Sequence, residues 1–204
     1  AIKAARRWAY LSKKIESDKA EIIVADGNFH GRTTTIISFS SDANSKNDFG
    51  PHTPGFVSVE FGSAKAIEQA INENTAAVLI EPIQGEGGII VPPENFLPEV
   101  REICTKNNVL MILDEIQSGL GRTGKMFAFQ HSNIQPDGLI LGKALGGGFM
   151  PVSCFLASKE VMQWLTPGSH GSTFGGNPLA AAIGKKSLEL LEEENLIENS
   201  RVLG

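Results

Sequence analysis

Ala76-Ala-Val-Leu-Ile80 and Val109-Leu-Met-Ile-Leu113, with the segment Asn95 to Asn107 between them, decide the fold of this chain. Each run is apolar at every position, so it offers no polar face to water and must be covered on both sides. The intervening segment carries Phe96, Val100, Ile103 and Cys104 on one side of a helix. Leu139-Ile-Leu141 and Val152-Ser-Cys-Phe-Leu156 continue the series. Short strands buried on both faces, alternating with amphipathic helices, predict an α/β fold. It is a three-layer α/β/α sandwich on a mostly parallel sheet, with one antiparallel strand at or near Val152.

Outward from this centre, Phe56-Val-Ser-Val-Glu60 and Glu21-Ile-Ile-Val-Ala25 read as further strands, and Ser63 to Asn72 as a helix with Ala64, Ile67 and Ile71 inward. Ala1, Ala5, Trp8, Leu11 and Ile15 fall at helical spacing, which leaves the basic residues of the opening segment as a solvated face. Asn28 to Arg32 is a loop; Thr33 to Phe39 is helix or strand by propensity alone; Asp42 to Pro54 is a long surface loop rich in Asn, Ser, Gly and Pro. A last helix spans Asn177 to Asn195, and the charged stretch from Leu188 onward reads as a connection leading outward. Residues 1–190 form the expected large domain, incomplete at its N-terminus, and 191–204 begin a link to a further C-terminal domain. The opening at Ala1, already inside a helical pattern, suggests an internal piece of a longer protein.

The chain has 204 residues, 41% of them hydrophobic, enough for one large domain with a substantial core. Its net charge of -5 argues against nucleic acid or an anionic membrane surface as the main partner, and no apolar run is long enough to span a membrane. Cys104 and Cys154 stand in no metal-ligand spacing and read as reduced core residues. The expected placement is cytoplasmic, or the mitochondrial matrix if a transit peptide precedes the chain.

In a parallel sheet, ligands bind outside the carboxyl ends of the strands. Glu81-Pro-Ile-Gln-Gly-Glu86, Asp114-Glu-Ile-Gln117 and Lys143 each come directly after an apolar run, so carboxylates, an amide and an amine share one edge. Lys143 alone would read as a solvated lysine before the glycines Gly146 to Gly148. A buried acid and a nucleophilic amine together suit pyridoxal phosphate, which needs a lysine for its aldehyde and an acid to keep the ring nitrogen protonated. Asp114 and Lys143 fit those roles. Gly119-Leu-Gly-Arg-Thr-Gly124 matches a dinucleotide fingerprint, but Asp114 to Ser118 separate it from the strand end and Pro136 interrupts the downstream segment.

Asn28-Phe-His-Gly-Arg-Thr33, Glu81 to Glu86, Leu113 to Gly124, Leu141-Gly-Lys-Ala-Leu145 and His170-Gly-Ser-Thr-Phe-Gly-Gly-Asn-Pro178 occur in one order over nearly the whole chain. Together they resemble the class III pyridoxal-phosphate aminotransferases, whose large domain has fold type I. Asp48-Phe-Gly-Pro51 and Gly168-Ser-His-Gly-Ser-Thr173 lean toward members that use ornithine. The resemblance implies transfer of the δ-amino group of ornithine to 2-oxoglutarate, giving glutamate semialdehyde and glutamate. Acetylornithine and 4-aminobutyrate are the alternative donors, and a catalytically silent scaffold is a remote one.

The resemblance also implies roles. Lys143 would bond the cofactor's aldehyde and shuttle the proton, Asp114 would pair with the ring nitrogen, and Gln117 would hydrogen-bond the phenolic oxygen. Phe29 would stack on the ring; Ser172 and Thr173 would reach the cofactor phosphate of a neighbouring subunit in a homodimer with shared active sites. Arg32 would bind the substrate carboxylate, and Glu86 would mask a second arginine that lies C-terminal to this chain in the family. The family's glycine-rich phosphate loop, which precedes the opening helix, is not among these residues.

Overall fold

The computed structural model describes residues 1–204. Helix α1 (Ile2–Trp8) runs straight into a π-helical turn, Ala9–Lys13, and ends where Lys14 takes a left-handed conformation. Strand β1 (Glu21–Ala25) comes next, then two short helices, α2 (Thr34–Ile37) and α3 (Ala43–Lys46). Strand β2 (Phe56–Val59) leads to α4 (Ala64–Ala70), which Ser63 caps by accepting from the Ala66 N–H at 3.2 Å. Strand β3 (Thr75–Ile80), α5 (Phe96–Lys106) and β4 (Leu110–Asp114) form the centre. Beyond a 3₁₀ turn at Ala128–Ser132 come β5 (Gly138–Leu141), a second 3₁₀ turn at Lys143–Gly146, β6 (Cys154–Ala157) and α6 (Lys159–Met162). Helices α7 (Pro178–Glu193) and α8 (Leu196–Leu203) close the chain.

The strands form a single sheet in the order β2-β1-β3-β4-β5-β6. All neighbours are parallel except β5 and β6, whose antiparallel pairing opposes Leu141 to Cys154. Alternation along the strands sends residues to two separate cores, as the apolar runs require. Ile23, Val78, Ile80, Met111 and Leu113 pack with α4 and α5, where Ile67, Phe96 and Val100 are buried. Ile22, Val24, Leu79, Leu110 and Ile112 pack on the other face with Ala5, Trp8 and Val161 of α1 and α6. Burying each such side chain contributes about 1.5–3 kcal/mol. Helical layers on both faces make the three-layer sandwich.

Three expectations are corrected by the structure. Leu11 is exposed while Ala9 is fully buried, because the π turn inserts an extra residue and rotates the apolar stripe. The basic residues of the opening segment are not merely solvated: Arg6 donates to the Pro54 carbonyl at 2.7 Å, Arg7 to the Trp164 carbonyl, and Lys13 to the Thr75 carbonyl at 2.7 Å. These cations satisfy two loop carbonyls and the carbonyl at the start of β3. The charged stretch after α7 does not simply lead away. It turns at Asn195 and returns as α8, where the Ser200 hydroxyl donates to the Arg122 carbonyl at 3.0 Å.

Candidate active site

The carboxyl ends of β1, β3, β4 and β5 all open on one edge of the sheet, because these strands are parallel neighbours. Beyond β1 the loop is pinned at its start. Asn28 is buried and its amide donates to the carbonyls of Ala25 at 2.5 Å and Phe39 at 3.3 Å. The next two residues are tied to other strand ends: the Phe29 N–H donates to Glu81 Oε2 at 3.1 Å, and His30 Nδ1 lies 2.7 Å from Asp114 Oδ2. The His30 side chain is only 2% exposed. Asp114 Oδ1 accepts from the Ile116 N–H at 3.0 Å, so both carboxylate oxygens are held. With the acid ionised, His30 donates from Nδ1, and its buried Nε2 has no partner.

Lys143 stands past β5 with φ of 44°, in the left-handed region that non-glycine residues rarely occupy. Its side chain is exposed on the open side of the pocket, and its Nζ donates to Gln117 Oε1 at 2.9 Å. The Gln117 amide lies directly over Gly85: a Cβ on that glycine would sit 2.4 Å from Gln117 Oε1. Phe29, Glu81, Asp114, Gln117 and Lys143 therefore line one small pocket of about 120 Å³. The pocket shares His30, Asp114 and Ile116 with an apolar cavity of about 510 Å³.

Burial pushes Glu81 above the ordinary carboxylate range; the Phe29 N–H and His30 pull it back, and the charge of Asp114 adds to the rise. Glu115, the neighbour of Asp114, points away from the pocket. It is fully buried and accepts the N–H groups of Ala128 at 2.7 Å and Phe129 at 2.8 Å. Burial pushes it up to about 7 against the pull of those two N–H groups.

The remaining predicted site residues fall in two places. Arg32 and Glu86 line an adjoining cleft of about 320 Å³ that shares Phe29, His30 and Gly31 with the pocket. Arg32 Nη1 donates to Ser45 Oγ at 2.9 Å, and its guanidinium carbon lies 5.5 Å from the Phe29 ring centre. Ser172 and Thr173 are exposed and do not line the pocket of their own chain. The Gly119 to Gly124 stretch forms turns that open no helix, which removes the dinucleotide reading.

His30 and Glu81 are the residues that sequence reasoning left without a role. A signal was present: Asp114 ends a wholly apolar strand, and a carboxylate buried there needs a partner. His30 lies in the Asn28 to Arg32 loop at the same sheet edge. The chain matches the profile of the family described as Aminotransferase class-III over residues 1–204.

The chain belongs to the class-III aminotransferases.

This class-III aminotransferase chain is 58% identical over all 204 of its residues to a Staphylococcus carnosus protein named ornithine aminotransferase, of which it covers 52%. Among solved structures, it matches an ornithine aminotransferase of Toxoplasma gondii with a TM-score of 0.95 and 46% identity, over 97% of this chain and 47% of that one. That crystal, grown with oxidised glutathione, has partial occupancy of PLP at the active site. An acetylornithine aminotransferase from Elizabethkingia anophelis matches with a TM-score of 0.83 and 50% identity, over 97% of this chain and 48% of that one. The class-III aminotransferase chain thus spans about half the length of the relatives it matches.

Proposed function

We propose that the full-length protein carrying this chain moves the δ-amino group of ornithine to 2-oxoglutarate, giving glutamate semialdehyde and glutamate, with pyridoxal 5′-phosphate in the pocket beside Lys143. The observation that carries this reading is one cavity shared by an amine, a buried carboxylate, an amide and an aromatic ring: Lys143, Asp114, Gln117 and Phe29. That donor set fits the cofactor's aldehyde, ring nitrogen, phenolic oxygen and ring face. The small pocket alone is tight for the whole cofactor; it adjoins the larger apolar cavity, with which it shares His30, Asp114 and Ile116.

When bound, the cofactor supplies an electrophilic aldehyde carbon and a protonated ring that withdraws electrons from the substrate carbon. Asp114 would keep the ring nitrogen protonated. His30, donating from Nδ1 at 2.7 Å, fixes the direction of that carboxylate. Phe29 would stack on the ring and Gln117 would hydrogen-bond the phenolic oxygen. Lys143 Nζ would hold the cofactor's aldehyde and, once freed, would take a proton from the ornithine δ carbon. In the return half-reaction it would give a proton to the α carbon of the glutamate product. Arg32 pairs with a substrate carboxylate in bidentate fashion, and Glu86 lies in the same cleft to adjust that end of the substrate.

Ser172 and Thr173 serve the phosphate in a second copy, which makes the working unit a homodimer; their exposure in the single chain suits this role. Residues 1–190 act as the cofactor-binding large domain, and 191–204, which fold back through α8, lead on from it to the next. No helix is long and apolar enough to cross a membrane.

The ornithine assignment draws support from the 58% identity to the Staphylococcus carnosus protein. Acetylornithine is the second reading, favoured by the 50% identity to the Elizabethkingia anophelis enzyme. Measuring kcat/KM of the full-length protein with ornithine, acetylornithine and 4-aminobutyrate separates them. Ornithine should lead; equal rates would remove the narrower claim. Borohydride reduction of the coloured protein followed by peptide mapping should place the label on Lys143, and a label elsewhere would overturn the site.

A further inference from the structure

Glu81 directly follows β3, and β1 and β4 flank that strand on either side. Its side chain therefore lies between the loop that carries Phe29 and His30 and the loop that carries Asp114 and Gln117. The residue is only 6% exposed and has no lysine or arginine partner, a costly state for a carboxylate. What it does have is the Phe29 backbone N–H at 3.1 Å, on the far side of the crossing between β1 and β3. That donor matters to the pocket, because Phe29 presents the ring that lines it. Nearby in the loop after β3, Gly85 is the residue whose missing side chain seats the Gln117 amide.

We propose that Glu81 is a positioning residue of this site, a buried carboxylate that fixes the Phe29 ring by accepting its backbone N–H. The inference rests on the reading of the pocket as a pyridoxal-phosphate site and deepens it. Glu81 need not touch the cofactor. It ties the loop that presents the Phe29 ring to the end of β3, on the same pocket wall as the Gln117 amide that receives the Lys143 amine at 2.9 Å. A glutamine side chain keeps one acceptor oxygen for the Phe29 N–H, whereas leucine keeps none while retaining most of the volume.

The test uses the full-length protein as wild type, Glu81→Gln, Glu81→Leu, Phe29→Leu and the Glu81→Leu/Phe29→Leu double variant. Each is stripped of cofactor and titrated with pyridoxal phosphate, reading the dissociation constant and the visible circular dichroism of the bound cofactor. Melting of the stripped proteins reports folding separately. Glu81→Leu should weaken binding on the order of tenfold and reduce the visible dichroism, and Glu81→Gln should recover most of both. In the double variant the losses should be less than additive, because Glu81 acts through Phe29.

Additive losses, or a Glu81→Leu protein with wild-type affinity and dichroism, would overturn the proposal while leaving the cofactor reading intact. If Glu81→Leu does not fold, Glu81→Gln decides: an affinity and dichroism close to wild type support the acceptor role, and a tenfold loss overturns it. A wild-type protein that gives no visible band with pyridoxal phosphate overturns the cofactor reading itself, and the proposal with it.

Discussion

Asp114 shows how much one side chain can be asked to do. Its oxygens are committed to His30 Nδ1 at 2.7 Å and the Ile116 N–H at 3.0 Å before any ligand arrives, so its direction is set by the protein. On the proposed reading, Asp114→Asn preserves shape but removes the charge that would stabilise a protonated cofactor ring. The turnover number of the full-length enzyme should fall by about a hundredfold or more, with a smaller change in KM, in steady-state assays. Glu115, one residue on, is a different kind of acid. Burial holds it up at about 7, while the unfolded chain gives up the proton near the ordinary carboxylate value. Between those two values the folded form binds more protons, so stability falls as pH rises and levels off above about 7. Melting midpoints of wild type should drop across that window relative to Glu115→Gln, whose curve lacks this titration.

Among the elements, α7 shows a start signal that the sequence displays openly. Asn177 accepts from the Ala180 N–H at 2.9 Å and Pro178 occupies the first turn, where its missing N–H costs nothing. Asn177→Ala should cost about 1 kcal/mol, read as a shift of the urea midpoint without a change in slope. The strands were legible for a related reason, since runs such as Ala76 to Ile80 admit only a doubly covered position. The opening helix was harder. Its apolar spacing is compatible with a continuous α-helix, and only packing of Ala9 and Ile15 under the sheet selects the π turn that turns Leu11 outward. The same limit applied to the site. Lys143, Asp114 and Gln117 stand directly after strand ends and can be found by counting, whereas the His30 to Asp114 and Glu81 to Phe29 pairings cross between strands that are distant in sequence. Helix α8 was missed because the charged run just before it hides its start and none of its apolar residues is buried.

For the whole molecule, the separation of Ser172 and Thr173 from the pocket of their own chain becomes a statement about assembly. If these hydroxyls act on a neighbouring site, the double variant Ser172→Ala/Thr173→Ala and the variant Lys143→Ala fail in complementary places. Mixing and exchanging the two full-length variants should restore activity to about a quarter of wild type, since random pairing gives half mixed dimers with one sound site each. Absence of any recovery after verified subunit exchange would argue for sites confined to single chains.

The left-handed backbone at Lys143 also bears on how such a protein can change over time. A φ of 44° is a position that glycine occupies freely and that lysine occupies under strain of about 1 kcal/mol. Lys143→Gly should therefore melt no lower than Lys143→Ala, although glycine elsewhere in an ordered segment usually destabilises. If Lys143 carries the proposed chemistry, that chemistry and backbone comfort pull this position in opposite directions, so a lineage released from catalysis would relieve strain by placing glycine here. A glycine at this place in an otherwise intact relative would be the molecular scar of an enzyme that has retired.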